Sequence, residues 1–444
     1  ILLILSFLNI YGSNFSDDLN HYHYSSISNA DSNNFIWGLN FLHPLYGTSS
    51  SWLIGHSYFN FEEYRLQDIH VLNGIIFFLV IGCFFAELYS SNKKKIYHPI
   101  FFSILLFILL KYTRLKEFGI DRPSTLIFCF LIYFYLKYFI NIEKKEITQN
   151  FIIVTLLSLF LFSTKIIHLP ILLIPLFILY KNKSNLLKDD KKYLIILLPI
   201  FVLILKNLLG TGCFFYPVEI TCTEYLPWTD RAGVREFVLS SEIFNKSWHS
   251  YKGGLSGEEY IQNFNWITTW YLRIQSEIIE IFLTLTLIIV FSFFIFDLKS
   301  KKLNSLNVNL KNFGILLFFI IIFSSIIFLK NPVVRMYHFT LISFMILIIT
   351  LIFKFDIKTY RSKFAIIVLI IAVIFNSYKN FIRISENNFL NNPYAMISPM
   401  INKQEKKNIN TFTYYLGWYG NAPVAGQSLK NKNHKKILIF DIIY

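Results

Sequence analysis

Residues 150–181 read NFIIVTLLSLFLFSTKIIHLPILLIPLFILYK. As one helix rising 1.5 Å per residue, this stretch would run to about 48 Å, whereas about 20 residues cross a bilayer. Ser163-Thr164-Lys165 interrupts the apolar run, and Pro170 and Pro175 follow. A helical hairpin of two short spans, 150–163 and 168–181, fits both the length and the interruption. The choice reaches beyond the segment, because it sets the side of the membrane on which every later loop falls.

Charge decides it. Cytoplasmic loops carry excess Lys and Arg. Lys93-Lys94-Lys95 marks one loop, and Lys144 and Lys145 a second. Lys181, Lys183, Lys188, Lys191 and Lys192 mark a third. Lys299, Lys301, Lys302 and Lys311 mark a fourth, and Lys354, Lys358, Arg361 and Lys363 a fifth. With the hairpin counted as two spans, all of these fall on one side; counted as one, the last three loops flip. The two-span reading places 12–71, 112–123, 164–167, 210–276, 330–335 and the tail from about 377 outside.

Working outward, further apolar spans lie near 1–11, 72–90, 98–111, 124–141, 193–209, 277–296, 313–329, 336–353 and 364–376. The expectation is an all-α polytopic membrane bundle of about eleven helices. A transmembrane domain would cover 1–376 and a small extracytoplasmic tail domain 377–444. The chain opens on Ile1, not Met, so its start reads as lost and the first helix as incomplete. Hydrophobic residues make up 54% and charged residues 16% of the 444. Ordinary globular domains carry about 25% charged residues, so a soluble protein is excluded. The mean hydropathy is +0.48. The net charge of +15 follows from the inside-loop bias and does not point to nucleic acid. Walker, GxGxxG, CxxC and HExxH patterns are absent from the sequence, as is any internal repeat.

The chemistry gathers outside. The first loop opens Phe15-Ser16-Asp17-Asp18-Leu19-Asn20-His21-Tyr22-His23-Tyr24. Asp17 and Asp18 suit a general base toward a hydroxyl or a ligand for a divalent cation, Mg or Mn. The plainer reading is that they cap the next helix; one acid can cap while the other faces a site. The second signal is positive charge against the topological bias. Lys111, Arg114, Lys116 and Arg122 flank one short outside loop and Lys165 sits in another; Lys330 and Arg335 bracket a third, with His338 nearby. Snorkelling to lipid phosphates accounts for any one of them. The set converging on one face points to an anionic head group, because Arg grips phosphate oxygens bidentately. Cys213 and Cys222, nine residues apart in an oxidising compartment, are placed to pair, whereas Cys83 and Cys129 lie within apolar spans. Phe35–Leu39 and Trp266–Tyr271 read as interfacial helices with aromatic anchors.

An acidic pair after the first span, an aromatic interfacial loop, many short spans and a C-terminal tail resemble the GT-C superfamily of polyprenyl-phosphate-sugar-dependent glycosyltransferases. More closely, the chain is similar to a group of uncharacterised bacterial membrane proteins grouped with them. The likeness lies in the His21–His23 region and in Trp37-Gly38-Leu39-Asn40 through Tyr46-Gly47-Thr48-Ser49-Ser50. It continues in Gly119-Ile120-Asp121-Arg122-Pro123, Thr164-Lys165, Lys206-Asn207, Gly212-Cys213-Phe214-Phe215-Tyr216-Pro217, Pro332 and Arg335. It implies that Asp17 or Asp18 is the catalytic acid group and that Lys165 and Arg335 line a phosphate site, with Arg114, Arg122, His338 and Lys206 as further donor contacts. The partners implied are a polyprenyl-phosphate sugar donor, a glycan or lipid acceptor and membrane lipids. The place implied is a bacterial inner (plasma) membrane with its active face periplasmic or extracellular. The tail departs from the larger enzymes of the superfamily, being too short for their full periplasmic domains. The expected geometry sets an aspartate across a cleft from Lys165 and Arg335, roughly 6–12 Å away, leaving room for a sugar. An O-antigen polymerase or ligase, and a lipid-linked glycan transporter or flippase, are the alternatives. The last would need charges along a path through the bundle. Lys206 lies near the outer end of its span, and Glu87 and Lys137 near the inner ends of theirs.

Overall fold

The computed structural model describes residues 1–11, 23, 26–27, 30, 37–38, 40, 44–48, 50–59, 71–90, 97–115, 119–139, 147–186, 193–247, 255–302, 306–352, 355–386, 406–409, 412–415, 434–437 and 440–443. Its principal helices are α1 (Leu2–Tyr11), α2 (Val71–Ser90), α3 (His98–Lys111), α4 (Asp121–Phe139), α5 (Ile147–Thr164) and α6 (Leu173–Leu186). They continue with α7 (Leu194–Thr211), α8 (Arg231–Ser247), α9 (Ile267–Ile295), α10 (Leu306–Lys330), α11 (His338–Ile352) and α12 (Ser362–Glu386). A helix coincides with each span expected from sequence. Among the described residues eight helices are long and apolar enough to cross a membrane; α1, α3, α4 and α8 fall outside that set.

The hairpin is present. α5 ends at Thr164, Lys165 takes an extended conformation (φ −161°, ψ 134°), and a 3-10 turn, Ile166–Leu172, leads into α6. His168 Nδ1 lies 3.2 Å from Thr164 Oγ1 and 3.1 Å from the Leu161 carbonyl, closing the turn. α5 packs against both the turn and α6.

α3 is the centre of the bundle. It packs against α2, α4, α9, α11 and α12, and every residue from His98 to Leu109 is buried. A helix apolar all round belongs inside. Its fourteen residues rise only about 21 Å, a length tolerable because protein, not lipid, surrounds its ends. α12 satisfies the carbonyls that α3 leaves open at its C-terminus. Asn376 Nδ2 donates to the Leu109 and Tyr112 carbonyls at 2.9 and 3.2 Å. Asn380 Nδ2 donates to Asn9 Oδ1 at 3.1 Å, and Arg383 Nη1 to the Thr113 carbonyl at 2.7 Å. These contacts explain why α12 runs to Glu386, ten residues past the span read from sequence. Polar side chains end the apolar run without ending the helix.

The contacts sort the loops into two ends. At one end Leu115 N donates to the Asn9 carbonyl at 3.1 Å, Trp270 Nε1 donates to the Pro332 carbonyl at 2.7 Å, and Lys330 meets Glu242 at 3.2 Å. At the other, strands β1 (Phe296–Lys302) and β2 (Phe355–Tyr360) pair antiparallel, and Glu87 meets Lys137 at 3.0 Å. These are the two sets that the charge count separates. Two expectations change. Trp266–Tyr271 is no separate interfacial helix: it leads straight into α9, whose 29 residues span about 44 Å and so project beyond a bilayer core of about 30 Å. The amphipathic element of that loop is α8, which aligns Val234, Phe237 and Ser241 at helical spacing. Of Phe35–Leu39 only Trp37 and Gly38 are described, and Trp37 packs on Trp228 with ring centroids 5.1 Å apart.

Candidate functional site

Three of the short loops at the first end meet on one carboxylate. Asp121 opens α4, just before its apolar stretch and in the first turn, where an acid complements the helix dipole. Lys165 sits at the tip of the hairpin, where its extended backbone breaks the helix. Arg335 lies in the 3-10 turn Val334–Tyr337 between α10 and α11. Lys165 Nζ is 2.6 Å from Asp121 Oδ1 and Arg335 Nε is 3.2 Å from Oδ2. Burial raises the Asp121 carboxyl, but Lys165 and Arg335 outweigh it and hold the group below the ordinary carboxylate range.

These residues line a cavity of about 890 Å³ at this end of the bundle. Seven of its described lining side chains are basic and three acidic, so its field is positive. Arg114 and Arg122 line it, and the Arg122 guanidinium donates to the Arg114 carbonyl, which fixes the loop between α3 and α4. Lys111, at the end of α3, meets Glu280 of α9 at 3.0 Å. His338 is buried, with Nδ1 3.2 Å from Tyr112 Oη and its ring stacked on that phenol. His23 is buried and reaches the same cavity.

Lys165, Arg335, Arg114, Arg122, His338 and His23 are therefore brought together. Lys206 sits on α7 and does not line the cavity. Asp17, Asp18 and His21 lie outside the described residues, and with them the expected distance to the cations. Lys165 and Arg335 both pair directly with a different acid, Asp121. In the sequence Asp121 stands within the stretch Gly119-Ile120-Asp121-Arg122-Pro123. The available signal was an acid enclosed by Arg114, Lys116 and Arg122 in a loop that should be poor in charge.

Cys213 and Cys222 form a disulfide with Cα atoms 3.7 Å apart, away from the cavity, beneath Tyr216 and Val234. Gly212, just before it, ends α7 with φ +76°, a left-handed conformation suited to glycine. Any Cβ there would strike the Thr229 hydroxyl. Cys83 and Cys129 are free thiols in α2 and α4. Among the described residues no group of three or more His, Cys, Asp or Glu side chains converges to hold a metal ion. The first-loop acids, where Mg or Mn was expected, are not among them.

A helix bundle with eight membrane-length apolar helices and an ionic cavity at one end defines a polytopic integral membrane protein. The chain belongs to the family described as Domain of unknown function (DUF8201), whose model matches residues 1–341. The match includes Asp121, Lys165, Arg335 and His338. No curated protein and no solved structure matches the chain.

Proposed function

We propose that the chain is a membrane glycosyltransferase that moves a sugar from a polyprenyl-phosphate-linked donor to a glycan or lipid acceptor on the non-cytoplasmic side. The observation that carries this reading is Asp121 clamped by Lys165 and Arg335 in a basic cavity at the end of the bundle. The cavity lining holds more basic than acidic side chains, and that excess, placed against the topological bias, calls for a further anion, which a lipid phosphate supplies. The acceptor oxygen attacks the anomeric carbon as the bond to the phosphate oxygen breaks. The electron pair leaves on that phosphate, whose charge Lys165 and Arg335 stabilise from fixed positions. The acceptor's proton goes to a first-loop carboxylate, Asp17 or Asp18. Asp121 suits that step poorly, because a carboxylate held this acidic is a weak base. It acts instead as a positioning residue that aims the two cations.

The excess of basic over acidic lining residues also suits a lipid diphosphate head, which keeps an O-antigen polymerase or ligase as the second reading. A flippase fits less well. The charges gather at one end, and Glu87 and Lys137 satisfy each other at the opposite end. The test is complementation of a strain lacking the protein. Asp17→Asn or Asp18→Asn is expected to abolish the lipid-linked glycan product while leaving the chain in the membrane, since losing a general base costs about 10²–10⁴-fold. Full product with both acids replaced at once would move transport or scaffolding ahead of catalysis.

A further inference from the structure

The cavity has an apolar side as well as a charged one. Its walls there are α9 and α12, and its floor is the last turn of α3, which packs against both. Along α9 the lining positions run Glu277, Glu280, Leu283, Leu287, a spacing that keeps them on one face. α12 runs the opposite way, and its lining positions read Phe375, Lys379, Arg383. On the floor Leu110 gives way to Lys111. All three elements change from apolar to charged toward the same end of the bundle, over about 12–15 Å along α9 and α12 and between adjacent residues on α3.

Leu283, Leu287 and Phe375 are 60%, 43% and 39% exposed while also lining the cavity. They therefore face the cavity and the outer surface of the bundle at once. On helices long and apolar enough to cross a membrane, that outer surface meets lipid. At the rim Lys379 Nζ lies 5.0 Å over the Phe375 ring, which places a positive charge directly above the apolar strip. On the facing wall Glu280 is answered by Lys111, which leaves Glu277 as the remaining acid there against the two cations Lys379 and Arg383.

We infer that the groove between α9 and α12 is a lateral portal for the donor. The isoprenoid chain of a polyprenyl phosphate lies along Leu283, Leu287 and Phe375, and its phosphate passes the basic rim at Lys379 and Arg383 on the way to Lys165 and Arg335. The inference rests on the functional reading above and adds the route of entry. A water-soluble phosphate ester would leave the apolar half unused. A lipid phosphate matches both halves at the depth where the walls change character.

The experiment places a photoreactive phenylalanine analogue at Leu287, at Phe375 and, as control, at Phe319 of α10, which is 48% exposed and remote from the groove. The full chain is reconstituted into phosphatidylglycerol nanodiscs doped with tritiated polyprenyl phosphate. Crosslinking at Leu287 and Phe375 is expected to exceed that at Phe319 by about tenfold, the ratio given by about 1.4 kcal/mol of preference for the site. Lys379→Glu should reduce the excess without changing the control. Equal labelling at all three positions, with polyprenyl phosphate still copurifying, overturns the portal and leaves the functional reading standing. Failure of polyprenyl phosphate to copurify overturns both. Enrichment of phosphatidylglycerol alone in the groove overturns the choice of occupant.

Discussion

Asp121 takes two cations from two different loops, and its neighbours in sequence give no hint of either. Lys165 is 44 residues away, and Arg335 is far beyond that. Such a carboxylate stabilises the fold by an amount that depends on pH. Its folded value lies below the value of about 3.9 for an unfolded chain, so the contribution is complete above about pH 4 and is lost as pH falls through the folded value. Asp121→Asn keeps the shape but leaves two cations without their acceptor. It should lower stability at neutral pH by about 1–3 kcal/mol, read as a lower melting temperature in detergent. The deficit relative to wild type should shrink below about pH 4, where the unfolded chain's carboxyl takes up a proton that the clamped native one does not. A deficit that persists unchanged into acid would show that Asp121 is not the clamped charge. The cations of this site were legible, because positive charge in loops expected outside runs against a known bias. Asp121 was legible only as an acid among basic neighbours, because only the fold shows which two cations it holds.

The hairpin and α12 show how far an element can be read from its apolar run. Ser163-Thr164-Lys165 and the two prolines locate the turn correctly, because a span that is too long must fold back. The end of α12 was placed ten residues early, because Asn376, Asn380 and Arg383 look like the close of a span. They form a polar stripe that ties α12 to α1 and to the end of α3. Asn376→Ala removes the donor serving the Leu109 and Tyr112 carbonyls, both buried at the centre of the bundle. It should cost about 1–3 kcal/mol and loosen the last turn of α3, which carries Lys111 into the cavity. Amide hydrogen exchange across 108–115 should quicken in the variant; unchanged exchange and melting would mean that the stripe is incidental. α8 was missed for the opposite reason. Its apolar face is narrow and its mean hydropathy low, so it resembled loop until its helical spacing was seen packed.

At the scale of the molecule, charge counting and packing agree on which loops share an end, although they rest on different physics. Lys and Arg are sorted during insertion, whereas the contacts arise from side-chain fit. Their agreement puts the loops of Asp121, Lys165 and Arg335 together at one end, the end that the charge bias predicts to lie outside. What the sequence could not provide was the cavity, because its described walls come from seven segments spread between His23 and Arg383. The most direct test of the account is turnover by the purified chain in proteoliposomes, given a polyprenyl-phosphate sugar and followed by release of free polyprenyl phosphate. Wild type should release it. Lys165→Gln should slow release by about 10²–10³-fold, the usual cost of losing one preorganised contact to developing charge. Arg335→Lys should also be impaired, since a point charge does not reproduce the guanidinium fork. Release at the wild-type rate by both variants, or no release by wild type from any such donor, would contradict the account.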